Sequence, residues 1–150
     1  MTHKELIKRI FSLQEERVKV YKAFDSGFTE YLQTGPDYDF PSYRELVHNV
    51  TQTFNNISNE VIDIETKLRE SGQSAISEVI RKIQLKEKEK LELTAKLQIA
   101  EQSADIDTSD EDKVEEVTTL KTSLQKLMEM IFELLDELKY EAEDILLEET

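Results

Sequence analysis

A carboxylate and an imidazole stand one helical turn apart in Glu45-Leu-Val-His48. Two copies of that spacing on neighbouring helices can hold a pair of iron or manganese ions. The second copy is missing, because the other histidine is His3, beside the N-terminus. A second acidic set, Asp105, Asp107, Ser109, Glu111 and Glu116, falls on the first, third, fifth, seventh and twelfth places of a calcium loop. The sixth place requires glycine for its sharp turn and holds Asp110, and the eighth, normally apolar, holds Asp112. Neither set is complete, so no metal and no cofactor is expected.

Covalent catalysis has as little to work with. Cysteine is absent, which removes thiolate nucleophiles, disulfides and cysteine-ligated metals together. A serine nucleophile needs a base and a preorganised oxyanion site, and neither a histidine constellation nor a glycine-rich phosphate loop is present. The sequence reads as that of a non-enzymatic protein.

Three groups of side chains remain as candidates for binding or regulation. Phe28 and Tyr31 approach a proline-containing connection from one side, and Tyr38, Phe40 and Tyr43 from the other. Such a cluster either seals one end of a helical domain or forms a partner pocket, since aromatics with a polar handle are enriched at interface hot spots. His48 follows on the same element, just outside its apolar seam. The second group is Lys86, Lys88 and Lys90, alternating with Glu87 and Glu89. It is either a soluble face of charge pairs or a partner-binding face; with alternating acids and no interleaved aromatics, it makes a poor nucleic-acid site. The third is Thr108 and Ser109, which precede Asp110-Glu-Asp112 and resemble acid-directed phosphorylation sites. Phosphate there would add charge close to a helix N-terminus, where the dipole favours anions.

The elements that must position these groups are helical throughout. Thr2-His-Lys-Glu5 has the form of a capping box, and Leu6, Ile10, Leu13, Val20, Phe24 and Tyr31 follow in steps compatible with one helix face. Phe11, Val18, Tyr21 and Phe28 widen that stripe, while Arg17 and Gly27 interrupt it. Gly27 weakens a helix but admits a close neighbour. Gly35-Pro36 and Pro41 punctuate the connection, and Ser42-Tyr-Arg-Glu45 offers a second capping box. Tyr43, Val47, Val50, Phe54, Ile57, Val61, Ile64 and Leu68 form a nearly unbroken seam, closed by Gly72 as a left-handed cap. A third segment carries Ile76, Val79, Ile83, Leu93, Leu97 and Ala100, but Lys86 and Lys90 break its middle, so its second half reads as less securely buried. The last is the cleanest: Val117, Leu120, Leu124, Leu127, Ile131, Leu134, Leu138 and Ile145, broken by Glu141.

The expectation is one all-α domain over residues 1–150, with helices near 3–33, 43–70, 75–102 and 111–147 and an acidic flexible connection at 103–112. Short connections favour antiparallel neighbours, either as a bundle or as two packed coiled-coil hairpins. Monomer and homodimer both remain open, the latter through the last helix.

A formal net charge of −14 argues against the chain as a whole gripping nucleic acid, which requires Lys and Arg to neutralise phosphates. The charge is polarised: residues 1–22 and 81–96 each carry six basic and three acidic side chains, whereas 101–116 carry one lysine against eight acids. Protein partners are therefore expected, and direct nucleic-acid contact is not. No signal-like or membrane-spanning apolar run occurs, so an intracellular protein, nuclear or cytoplasmic, is expected. Asn49-Val-Thr51 and Asn56-Ile-Ser58, which match glycosylation acceptors, then read as chance.

Four stretches carry a family resemblance: Val20-Tyr-Lys-Ala-Phe24-Asp-Ser-Gly27-Phe-Thr-Glu-Tyr-Leu32, Tyr43-Arg-Glu-Leu-Val-His48, Glu89-Lys-Leu-Glu-Leu-Thr-Ala-Lys-Leu-Gln98 and Leu138-Lys-Tyr-Glu-Ala-Glu143. Together they resemble the Required for excision 1-B domain family. The resemblance implies an accessory or adaptor role in excision of DNA damage, with nuclear residence at least part of the time. It transfers a process and no catalytic site. A structural coiled-coil subunit of a trafficking or cytoskeletal complex, and a nucleic-acid binder using basic helix faces, are the competing readings.

Overall fold

A computed structural model describes residues 1–148 as five helices. They are α1 (His3–Leu32), α2 (Phe40–Glu70), α3 (Ser74–Ile106), α4 (Glu111–Glu141) and the short α5 (Glu143–Leu146). The architecture is all-α, as expected, with no strand among the described residues. Successive long helices run antiparallel: α1 lies along α2, α2 along α3 and α3 along α4, while α1 meets α3 and α5 only locally.

Local chemistry sets the helix ends. Thr2 Oγ1 accepts the backbone N–H of Glu5 at 3.1 Å, which is the first half of the anticipated box. For α2 the cap lies earlier than the second box implied. Asp39 accepts from the Ser42 backbone N–H at 3.3 Å and from its hydroxyl at 2.6 Å, so Phe40 and Pro41 are already helical. Proline fits there because the first-turn N–H groups have no intrahelical acceptor anyway. After α2, Gly72 adopts φ +88°. Its N–H reaches the Arg69 carbonyl, and that of Gln73 reaches Leu68 at 2.8 Å, a Schellman closure.

Two boundaries differ from the sequence expectation. The helix expected over 75–102 continues to Ile106, which shortens the acidic connection at 103–112 to a tight turn capped by Asp110. The helix expected over 111–147 breaks at Ala142, where the chain turns α5 onto α1. Ala142 is fully buried, so a small side chain permits that close approach.

The core falls into two parts. At one end, which we call the base, Ile7, Leu13, Leu68, Ile80 and Leu138 are all but sealed from solvent and join α1, α2, α3 and α4 in a single apolar cluster. Further along, Tyr21, Phe24, Val50 and Phe54 form a smaller cluster, with Leu91 of α3 packed against it. Gly27 lies beyond, and a Cβ there would come within 2.5 Å of a Leu46 methyl, so α1 and α2 do approach closely at this point.

Arg17, 3% exposed, sits inside the protein. Its guanidinium donates to Gln14 Oε1 at 3.3 Å, to Ser58 Oγ at 3.4 Å and to Gln84 Oε1. Gln14 in turn donates to Glu87 Oε1 at 2.8 Å, so one polar layer ties α1, α2 and α3 together. Burial depresses the Arg17 pKa, an effect opposed by the Glu87 charge. Removing a buried charge leaves its counterpart desolvated and uncompensated. Arg17→Met should therefore cost about 2 kcal/mol or more in urea unfolding at pH 7, and clearly less when introduced into Glu87→Gln. Equal costs in the two backgrounds would show that the layer is not a coupled unit.

Candidate functional site

The aromatic residues singled out from the sequence do gather at the end opposite the base, but in different environments. Phe28 and Tyr31 are buried, at 5% and 4% exposure. Tyr31 stacks on Tyr43 with centroids 4.5 Å apart, and Tyr38 and Phe28 tilt against the pair. The half-buried Tyr43 hydroxyl donates to Gln98 Oε1 at 2.6 Å, anchoring α2 to α3. Tyr38 donates to the Asp105 carboxylate, and this bond pushes its pKa up to about 12. Phe40 stands apart, 55% exposed, with the Arg44 guanidinium 5.9 Å from its ring centre. His48 is exposed on α2.

The three lysines also separate. Lys86 is half-buried and donates to Glu89 at 3.4 Å, and Lys88 is exposed. Lys90 turns inward and places its ammonium 4.0 Å from the centre of the Tyr21 ring, a cation–π contact. Burial pulls its pKa down against the opposing pull of Glu87 and Asp25. They do not form one basic face.

Thr108 and Ser109 are exposed in the α3–α4 turn. The Ser109 hydroxyl and backbone N–H both donate to Asp107 Oδ1, at 2.7 and 3.3 Å, and hold that carboxyl below its usual range. The calcium-loop spacing does not become a loop: Asp105 belongs to α3, and Glu111 and Glu116 to α4. No cluster of three metal-ligating side chains occurs among the described residues.

The second half of α3 is less buried than the first, as expected, but its inward residues differ from the sequence reading: Thr94 and Gln98 are buried beside Ala100, with Glu87 just before them. Leu93 and Leu97, expected on the seam, are only half-buried. The helix is sandwiched between α2 and α4, so it needs two inward faces, and polar side chains occupy part of one. Conversely, α4 buries only Leu127, Ile131 and Leu138 of its regular seam, because among the described residues α3 is the one long helix that runs close along it.

That uneven packing leaves a cleft of about 340 Å³ between α1, α3 and α4. Phe28 and Gln98 lie in its buried wall, Leu97, Leu124 and Met128 supply apolar surface, and Asp25 and Glu101 bring carboxylates. Burial raises both carboxyl pKa values, although Lys90 and Lys121 respectively oppose the shift. Neither carboxylate is ion-paired among the described residues. Gln98 Nε2 and, away from the cleft, the Tyr31 hydroxyl are sealed from solvent and find no hydrogen-bond partner among the described residues. The sequence offered no signal for this cleft beyond the helical spacing of Lys90, Thr94, Gln98 and Glu101, which the lysine run obscured.

Comparison with known proteins decides the family. The family model described as DNA repair REX1-B matches residues 5–101. The chain belongs to the Required for excision 1-B family. Two Required for excision 1-B domain-containing proteins show how far the relation extends. The Bos taurus protein is 37% identical over 141 residues, covering 93% of this chain and 77% of its own. The Mus musculus protein is 37% identical over 139 residues, covering 92% and 80% respectively. No solved structure matches. The Required for excision 1-B model spans α1, α2 and most of α3, which include the polar layer and the aromatic end.

Two consequences can be measured. Tyr31→Ala should cost about 3 kcal/mol in chemical unfolding by opening a cavity in the ring stack, whereas Phe40→Ala should leave stability unchanged within about 0.5 kcal/mol. Equal effects would contradict the division into buried and free aromatics. The raised pKa values of Asp25 and Glu101 mean that folding favours their neutral forms. That contribution is complete below the usual carboxylate range and lost as pH rises through the folded values. The Asp25→Asn/Glu101→Gln variant should therefore melt higher than the wild type at pH 7, with the gain vanishing near pH 3. A lower melting temperature at pH 7 would contradict the shifts.

Proposed function

We propose that this protein is a non-enzymatic helical adaptor in DNA excision repair, acting through protein–protein contacts in the nucleus. Membership of a DNA repair family is the observation that carries this reading. The chemistry of the chain supports the non-catalytic part: Arg17, Glu87 and their amide partners are engaged with one another inside the protein. Those ionisable groups serve helix alignment. The surface available to a partner includes Phe40, His48 and Lys88, together with Leu85, Ile99 and Phe132, which are 55%, 69% and 64% exposed. The inward turn of Lys90 removes one charge from the basic face that nucleic-acid binding would use.

No helix among the described residues is long and apolar enough to cross a membrane. The acidic turn containing Thr108 and Ser109 adds a regulatory option to the adaptor reading, since both hydroxyls are exposed beside acidic residues. Phosphorylation of Ser109 would replace its donated bond to Asp107 with charge repulsion and loosen the α3–α4 turn.

In-cell cross-linking followed by mass spectrometry, before and after ultraviolet damage, tests the proposal. Excision-repair or chromatin proteins should be cross-linked, and tagged protein should be nuclear after damage. Recovery of cytoskeletal or trafficking proteins alone, with no nuclear signal, would replace the repair adaptor with a structural coiled-coil subunit.

A further inference from the structure

Along the outer side of α4, aromatic rings and carboxylates alternate. Phe132, Asp136 and Tyr140 follow at intervals of four, which places them on one stripe about 12 Å long. The stripe faces away from the buried Ile131 and Leu138, and its two rings are 64% and 75% exposed. Glu129, Glu133 and Glu137 flank it, all of them exposed.

Over residues 129–144 the chain carries seven acidic side chains and one lysine. None of the seven is ion-paired among the described residues. The lysine, Lys139, holds its ammonium 5.9 Å from the centre of the Phe11 ring on α1. Two further rings are covered in the same way, Tyr21 by Lys90 at 4.0 Å and Phe40 by Arg44 at 5.9 Å. Phe132 and Tyr140, by contrast, have neither a cation nor another ring against them among the described residues.

Ring faces carry negative potential and carboxylates full negative charge, so both kinds of accessible group call for a cation. Nucleic acid and anionic lipid are repelled here, and a second copy of this chain brings its own formal net charge of −14. An uncharged apolar helix would cover the rings but desolvate the carboxylates without compensation. Arginine answers both, because its guanidinium plane lies flat on a ring while its edge donates two parallel bonds to a carboxylate. We propose that the outer face of α4 around Phe132, Asp136 and Tyr140 docks an arginine-rich segment of a protein partner. Ring, carboxylate and ring recur about every 6 Å along the helix, close to the separation of about 6.6 Å between alternate residues of an extended strand. An extended segment with arginine at every second position therefore meets the stripe in register.

This inference rests on the adaptor reading for the identity of the partner, but the face can be tested without it. The probe is a blocked octapeptide of alternating arginine and alanine, titrated into the full chain by NMR, with the lysine–alanine octapeptide as control. Saturable shifts centred on the Phe132 and Tyr140 rings are expected, with the arginine peptide about threefold tighter than the lysine one. Phe132→Leu/Tyr140→Leu keeps every charge and most of the apolar surface. It should weaken the arginine peptide about tenfold at an unchanged melting temperature. Glu133→Gln/Asp136→Asn should weaken it comparably, whereas Glu115→Gln/Glu116→Gln, the same loss of charge near the start of the helix, should not. Equal binding of the two peptides, an unchanged affinity in the ring variant, or equal losses from the two charge variants would reduce the face to unspecific charge attraction and overturn the assignment. If the double ring variant melts lower than the wild type, Tyr140→Leu alone, expected to weaken binding about threefold, is read in its place.

The ring variant then links the face to the partner in the cross-linking experiment. Disappearance of the cross-linked repair proteins makes the face their docking point. If they persist in full, the docking assignment fails while the adaptor reading stands. Absence of cross-linked repair proteins from the wild type would sink the adaptor reading, leaving the peptide titration to decide the face.

Discussion

A charged guanidinium held inside a protein constrains everything around it. Arg17 can remain buried only while Gln14, Gln84 and Ser58 present oxygen atoms to it and Glu87 supplies the opposing charge close by. These groups come from three helices, so the requirement is met in one alignment of α1, α2 and α3. Sliding one helix by a turn, about 5.4 Å, would bring a leucine or isoleucine to the layer and strand a charge in apolar surroundings. The apolar clusters on either side have no such selectivity, since aliphatic side chains accept many neighbours. The polar layer thus specifies the register, and the clusters supply most of the cohesion.

The two ends built around that layer have different characters. The base is apolar and joins all four long helices. The opposite end relies on stacked rings and on hydroxyl bonds from Tyr38 and Tyr43 to α3, and its third and fourth helices are held less completely. Its turn and flanking helix ends are also where acidic side chains concentrate. This division separates a part that maintains the fold from a part whose polar groups and apolar surface are less completely covered.

Much of this was legible in the residues. The seam of α2 from Val50 to Leu68 matches the buried set, and Arg17 and Gly27 stood out as irregular positions that prove to mark the polar layer and the close approach to Leu46. The inward face of α3 was not legible, because periodicity arguments assume that polar means outward. Glu87, Thr94 and Gln98 violate that assumption in a helix enclosed from two sides. The α2 start was misplaced because Asp39 and Ser42 are equally good capping residues, and the structure uses the earlier one. The cleft depends on where α4 fails to meet α1, a tertiary property that no spacing within one helix records.

The partial enclosure of α4 has a further consequence for motion. Segments with fewer buried apolar contacts open at lower free energy than the global unfolding of a domain. From Glu111 to about Met128, α4 buries only Leu127 fully, whereas from Leu134 onward it enters the four-helix cluster. The N-terminal half of the helix can therefore detach in local fluctuations while the C-terminal half stays in place, with the intervening turns acting as a hinge. Amide exchange along α4 would then be graded, fast near the acidic turn and slow near Leu138, and the same fluctuation would widen and narrow the cleft beside it.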